Sequence, residues 1–319
     1  MEKPLVTADI AASIDMLELR NAQIHLRPAS DIFTAADGFS ALSSDSADMP
    51  VLECVSAKCR AVISLRGAQI LAFCSAGKQE LLWLSPLSRF HAGDAIRGGI
   101  PVCLPWFGVN RRQADLPKHG LVRTQLWGLD DVQQAEDDTI SLRLVFRPNS
   151  VDLALFPYSF LAELTIELGT ELRLSLRLSN EGQELMPLSF AFHSYFSVSD
   201  AAVISLEGVD GCEYLDNCQG LSRFVQSDNL VFDREIDRVY EAVGASQTLI
   251  DSHRKIEIDG RGCDTVVIWN PGAVLAAEMD DVGQYYRDYI CVERGMAFGD
   301  ELQLAAGGVA EAKMTLSSE

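Results

Sequence analysis

Three stretches of strict two-residue alternation constrain the fold of this 319-residue chain more than anything else in it. In 140–147, Ile140, Leu142, Leu144 and Phe146 alternate with Ser141, Arg143, Val145 and Arg147. In 160–168, Phe160, Ala162, Leu164, Ile166 and Leu168 oppose Leu161, Glu163, Thr165 and Glu167. In 171–179, Leu172, Leu174, Leu176 and Leu178 oppose Glu171, Arg173, Ser175, Arg177 and Ser179. A period of two sends alternate side chains to opposite faces of a pleated strand, so each run reads as a strand with one buried face. Gly169-Thr170, between the last two, predicts a hairpin. Shorter candidate strands at 51–55, 60–65, 69–73, 189–196, 202–206, 255–258, 265–269, 274–278 and 289–293 extend the pattern to a many-stranded antiparallel, all-β protein. Helical periodicity is scarce, and its best instance is 7–19 with Thr7 as a cap. Residues 28–50, rich in Ser, Ala and Asp, read as a loosely ordered lead-in. The expected organisation is an N-terminal extension over 1–50, packed on the β domain or partly loose, and one antiparallel β domain over 51–319, with no repeat and no dividing linker.

Charge narrows the partners. The chain carries 26 Lys and Arg against 46 Asp and Glu, a formal charge of -20. The average surface therefore repels nucleic acid and anionic membrane, and neither is an expected partner. A small anionic ligand remains compatible wherever a few arginines concentrate positive potential in a cleft. The eight cysteines show no paired spacing of metal or redox type and mostly sit in apolar runs, which predicts reduced core thiols and a cytoplasmic location. No signal-peptide pattern and no apolar run of about 18 residues is expected to direct the chain into or across a membrane.

Against this β pattern one segment stands apart. Arg97-Gly98-Gly99-Ile100-Pro101-Val102-Cys103-Leu104-Pro105-Trp106-Phe107-Gly108, followed by His119-Gly120-Leu121-Val122-Arg123, combines cations, flexible backbone, rigid aromatics and a histidine. Paired glycines and prolines suit a binding loop better than a strand interior. If 119–123 is extended, His119, Leu121 and Arg123 share a face. A guanidinium fork matches phosphate geometry, and glycines would allow the backbone to approach such a group, which makes Arg97 and Arg123 candidate anion ligands. Taken singly, each arginine fits a surface ion pair equally well.

Other candidates are individually ambiguous. In 189–196 an extended strand puts Ala191, His193 and Tyr195 opposite Phe190, Phe192, Ser194 and Phe196, so His193 is either a satisfied core histidine or a proton donor on a rigid strand. Tyr289, Cys291 and Glu293 share a face, and Glu293 is a plain strand-end carboxylate unless that face lines a cleft, where burial would raise its pKa toward that of a general base. Asp237 fits either a hydrogen bond to sugar hydroxyls or a pair with Arg238, and spacing alone favours the pair. Trp106, Phe107 and Trp269 fit the core or a sugar-binding face. The histidines at 25, 91, 119, 193 and 253 form no HxH or HxxxH pair, so no metal is expected.

In order along the chain, 96–108, 119–123, Phe192-His193-Ser194-Tyr195-Phe196, Asp237-Arg238-Val239-Tyr240, Trp269-Asn270-Pro271-Gly272 and Cys291-Val292-Glu293 resemble the D-hexose-6-phosphate mutarotases of the aldose 1-epimerase superfamily. The resemblance runs from about residue 51 to near the C-terminus. It implies a galactose-mutarotase-like antiparallel β-supersandwich with few short helices, and cofactor-free, metal-free interconversion of the α and β anomers of a hexose 6-phosphate. Carried over by position, His193 is the general acid and Glu293 the general base, while Arg97 and Arg123 hold the phosphate and His119 and Asp237 bind the sugar. The expected partner is a small sugar phosphate, and a monomer is expected. Two departures accompany the likeness. Arg294, following the proposed base, would lower the Glu293 pKa if its charge pointed inward, and residues 1–50 receive no role. The competing functions are a non-catalytic sugar-phosphate sensor on the same fold, a mutarotase for unphosphorylated aldoses and, third, a metal-dependent small-barrel enzyme.

Overall fold

The computed structural model of the chain describes residues 7–35, 38–39, 49–91 and 93–319. The alternating runs become strands Ile140–Phe146, Phe160–Leu168 and Leu172–Asn180, the last two joined as a hairpin in which Leu168 pairs with Leu172. They form part of an eight-stranded sheet in the order Ser205–Glu207, Ser246–Ile250, Lys255–Arg261, Val309–Ser318, Leu172–Asn180, Phe160–Leu168, Ile140–Phe146, Gly128–Gln134. A second eight-stranded sheet runs Ser222–Val225, Glu213–Asp216, Ile236–Tyr240, Thr265–Asn270, Tyr289–Met296, Phe190–Phe192, Val102–Cys103, and Tyr195–Ser197 also pairs with Tyr289–Met296. The apolar rows of the two sheets share one core, with Leu164, Leu174 and Leu176 from the first and Ile268, Val292 and Phe192 from the second. Each fully buried Leu or Ile there contributes about 1.5–3 kcal/mol. All pairs between these strands are antiparallel.

A four-stranded sheet, Ala22–Pro28, Pro50–Ser56, Cys59–Ser64 and Ile70–Ser75, adds Leu52, Ile63 and Phe73 to the same core. Its edge strand lies within the first 50 residues: Ile24 and Leu26 alternate with His25 and Arg27, and Leu26 pairs with Leu52. Helix Thr7–Asp15 seats Ile10 and Ile14 in the core. The helical expectation therefore ends at Asp15 rather than residue 19, and the capping expectation at Thr7 falls outside the described side chains. Much of the 28–50 lead-in, residues 36–37 and 40–48, also lies outside the described residues.

Two strand expectations change. Residues 274–278 belong to helix Gly272–Ala276 and the turn after it, because a run of four apolar residues ending at Glu278 has no period of its own and Gly272, at φ +61, sets a helical entry. Residues 202–204 are turn and connection, and the strand begins only at Ser205–Glu207. Among the described residues the α-helices are Thr7–Asp15, Ser150–Leu155 and Gly272–Ala276, and no helix is long and apolar enough to cross a membrane.

Segment 97–108 joins the four-stranded sheet to the second eight-stranded sheet. Gly98 bridges Leu84, Ile100 bridges Ile70, and Val102–Cys103 pairs with Phe190–Phe192. Gly99, at φ +63, is required by this packing: a Cβ there would lie 2.1 Å from the Ile70 carbonyl oxygen. The glycines thus admit a neighbouring strand, not a phosphate. Their freedom fixes where Arg97 emerges.

Candidate active site

One face of the second eight-stranded sheet packs in the core, and the other forms the floor of a cleft. Register explains which residues go where. Asp237 pairs with Trp269, Trp269 with Cys291 and Cys291 with Tyr195, while Val267 pairs with Glu293 one step along. Alternation from these pairs directs Asp237, Trp269 and Glu293 to the cleft, and Arg238, Ile268 and Val292 to the other face. The strand containing His193 breaks at His193-Ser194 into Phe190–Phe192 and Tyr195–Ser197. The expected facing survives the break: Phe190, Phe192 and Phe196 enter the core, and the His193 ring stacks on Tyr195 at 4.8 Å and 3°. The His193 amide donates to the Pro101 carbonyl at 2.9 Å, which anchors the imidazole to the glycine-proline segment.

The cavity, about 1190 Å³, is lined by His193, Glu293, Asp237, His119, Arg97 and Arg123. All six residues singled out in the sequence meet in one place. His193 Nδ1 stands 3.3 Å from Glu293 Oε1, without the alignment of a hydrogen bond. Both side chains are buried, and Glu293 Oε2 has no partner among the described residues. Burial, then Asp237, pushes the Glu293 carboxyl well above its ordinary range. Burial, followed by His119, Arg97 and Arg123, holds the His193 imidazole well below its own. Both shifts favour the neutral partners, a carboxylic acid beside a free imidazole. Arg294 exerts no such influence. It points to the opposite face, fully buried, with Nη1 donating to the Gly244 carbonyl at 3.0 Å and Gln247 Oε1 at 2.7 Å.

His119 and Arg123 reach the cavity by a route different from the extended one expected. His119 and Gly120 take positive φ, +65 and +80, and Val122–Thr124 is a short 3-10 turn, so Leu121 enters the core instead of sharing their face. Gly120 is obligatory, since a Cβ would sit 2.0 Å from the Leu104 carbonyl oxygen. The His119 amide donates to the Gly108 carbonyl at 2.8 Å, and its Nδ1 accepts from the Gly108 amide at 3.4 Å, which leaves Nε2–H as the donor of the neutral ring. Burial first, then Arg123, Arg97 and Lys118, pushes His119 down to about 3.

That shift carries a stability consequence. A histidine depressed in the folded state is protonated first in the unfolded chain, so its contribution is complete above the ordinary value of 6.5 and is lost as pH falls toward about 3. Urea unfolding from about pH 7 to about pH 4 is expected to show His119→Gln taking up about one proton fewer on unfolding than the parent, so that its stability falls less, or rises more, as pH is lowered. An unchanged slope in the variant would show that His119 is not depressed.

Arg97 is pinned: Nε donates to Asp281 Oδ2 at 3.0 Å and Nη1 to the Tyr195 hydroxyl at 3.0 Å. Arg123 has no hydrogen bond or ion pair among the described residues. Asp237 does not pair with Arg238, which lies on the other face over the Tyr214 ring at 4.4 Å; instead Asp237 Oδ2 accepts from Asn217 Nδ2 at 2.6 Å. Burial raises its carboxyl as well. Trp269, Phe107 and Trp106 all line the cavity, and Trp106, largely buried, donates its Nε1–H to the Pro117 carbonyl at 2.9 Å. Sequence reasoning missed Asp281, Tyr195 as a partner of Arg97, and the cavity-lining cations Arg111, Arg112 and Lys118. The Arg111-Arg112 pair, directly after the aromatic segment, was a usable signal. Asp281, 184 positions from its partner, offered none.

Comparison with known proteins follows the same geometry. The sequence profile described as aldose 1-epimerase matches residues 51–317. A Cenchrus ciliaris protein named "putative glucose-6-phosphate 1-epimerase" is 36% identical over 247 residues, 74% of this chain and 74% of its own. A Salmonella typhimurium protein of the same name is 31% identical over 238 residues, covering 73% and 79%. The solved structure of a Salmonella typhimurium "putative mutarotase" superposes with a TM-score of 0.78 at 27% identity, covering 84% of this chain and 90% of that one. A galactose mutarotase-like protein from Lactobacillus casei, at 16% identity and a TM-score of 0.65, shares the fold over 84% of this chain and 100% of its own.

Proposed function

Because this chain belongs to the aldose 1-epimerase family, we propose that it interconverts the α and β anomers of a hexose 6-phosphate, glucose 6-phosphate foremost, by metal-free exchange of protons between the sugar and the pair Glu293 and His193. The observation that carries this reading is the 3.3 Å contact of His193 Nδ1 with Glu293 Oε1 in a cavity also lined by Arg97 and Arg123. In an anionic protein, cations gathered around a buried acid/base pair suit a phosphorylated sugar.

Glu293 takes the proton from O1 as His193 delivers one to O5, and the C1–O5 bond opens to the aldehyde. Rotation about C1–C2 exposes the other carbonyl face. Reclosure returns both protons, Glu293 to O1 and O5–H to His193. One cycle leaves the protein as it began, so no electron acceptor enters. Burial of the pair favours a protonated carboxyl and neutral imidazole, the arrangement that acts on the open aldehyde; ring opening draws on the opposite arrangement of the same pair. Asp237 and His119 hold sugar hydroxyls, Trp269 offers an apolar wall, and Arg97 and Arg123 take the phosphate, whose binding energy fixes O1 and O5 against the adjacent reacting groups. Among the described residues none before Arg97 lines the cavity, which is compatible with residues 1–50 as an extension of the 51–319 catalytic domain. A cytoplasmic monomer completes the proposal, and eight unpaired cysteines are compatible with a reducing compartment.

The test is anomer-exchange NMR on glucose, galactose and their 6-phosphates. Exchange is expected to be fastest for glucose 6-phosphate and much slower for the plain sugars. Equal rates with and without phosphate would remove the phosphate part of the reading, and no catalysed exchange on any of the four would remove the whole.

A further inference from the structure

The strand Tyr289–Met296 bears Cys291 on the same face as Glu293, two residues earlier, and proton transfer makes no use of it. The Cys291 thiol, a His193 ring nitrogen and a Glu293 carboxylate oxygen lie within 4.8 Å of one another, and all three residues are buried. Independently, His193 Nδ1 and Glu293 Oε2 are buried polar atoms without a hydrogen-bond partner among the described residues. Such atoms cost free energy unless something satisfies them.

We propose that Cys291, His193 and Glu293 form a capture site for a thiophilic divalent cation of the zinc type, which enters through the cleft and stops turnover by engaging both proton-transfer groups. One sulfur, one imidazole nitrogen and one carboxylate oxygen make a zinc donor set with a fourth position left for water or a sugar oxygen. Bonds of about 2.0–2.3 Å separate tetrahedral donors by roughly 3.3–3.8 Å. His193 and Glu293 are already 3.3 Å apart, so the site closes chiefly by a small shift of the thiol toward them. Magnesium and calcium are excluded by preference, since they favour all-oxygen shells. On capture the thiol proton and any carboxyl proton pass to solvent, which balances the charge of the cation. Arg97 and Arg123 oppose a further positive charge in the cavity, which fits a reversible inhibitor better than a resident metal.

The experiment uses the full chain, metal-stripped, in a Cys218→Ser background that removes the exposed thiol. Titration with cadmium alone is read by the thiolate-to-cadmium charge-transfer band, which needs no sugar and is therefore independent of the proposed activity. The band is expected to saturate at one equivalent and to vanish in Cys291→Ala. Zinc is then expected to abolish anomer exchange reversibly by chelator, and Cys291→Ala to raise the half-inhibiting zinc concentration by more than about tenfold relative to its own metal-free rate. Cys291→Ser is the second variant should the alanine fail to fold. No band in the parent, a band retained in the variant, or identical zinc inhibition in both would overturn the proposal.

Discussion

Glu293→Gln is expected to lower anomer-exchange turnover by about 10²–10⁴-fold with the fold intact, and His193→Asn to do the same. Each removes one of two groups that must exchange protons with O1 and O5 in the same event, so neither loss is compensated by its partner. The fold should survive because neither residue holds the sheet together. Glu293 is buried with one oxygen unpartnered and its contact to His193 unaligned, so its carboxyl costs stability wherever it ionises. Glutamine keeps the shape and carries no charge. Thermal unfolding of Glu293→Gln is therefore expected at or above the parent temperature while NMR exchange collapses. Exchange within a fewfold of the parent in either variant would dismiss the acid/base pair.

Arg123→Ala is expected to raise KM for glucose 6-phosphate by about 10- to 100-fold, the worth of one charge-assisted hydrogen bond, and to leave glucose nearly unaffected. Arg123 is the cleaner probe of the two arginines because none of its donors is engaged within the protein among the described residues. Arg97→Ala should behave differently. Its guanidinium also braces Asp281 and the Tyr195 hydroxyl, and Tyr195 stacks on His193, so this variant is expected to lose kcat on both sugars as well as KM on the phosphorylated one. Steady-state kinetics on the two sugars separates these patterns. Equal KM changes for glucose and its 6-phosphate in Arg123→Ala would show that Arg123 does not read phosphate.

What was legible in the sequence was whatever depends on period two. Leu172 to Leu178, the facing of His193 with Tyr195, and that of Glu293 with Cys291 all follow from alternation, which survives even the break after His193. The strand Ala22–Pro28 alternates as well, and its signal was present but brief. What alternation cannot carry is the local geometry of 119–123, where two consecutive residues at positive φ turn the chain and let His119 and Arg123 reach the cavity without sharing a strand face. Nor can it show long-range partners: Asp237 takes Asn217 rather than its neighbour Arg238 because adjacent strand residues face opposite ways. Val274 and Leu275 were too few to declare a period, and a glycine-led turn decided for helix.

Glu293 and Arg294 are consecutive, both buried, one opening on the cleft and the other sealed in the core. A slip of one residue in the pairing of this strand would exchange them, putting a guanidinium where the carboxyl acts and a carboxyl beside the Gly244 carbonyl and Gln247 Oε1. Gly295 guards against the slip, since any side chain at that position would meet the Phe190 carbonyl oxygen at 2.1 Å. The strand is consequently intolerant of insertion or deletion. New substrate preferences in this lineage should arise by lengthening or recharging the loops around Arg111 and Lys118, where nothing must stay in register.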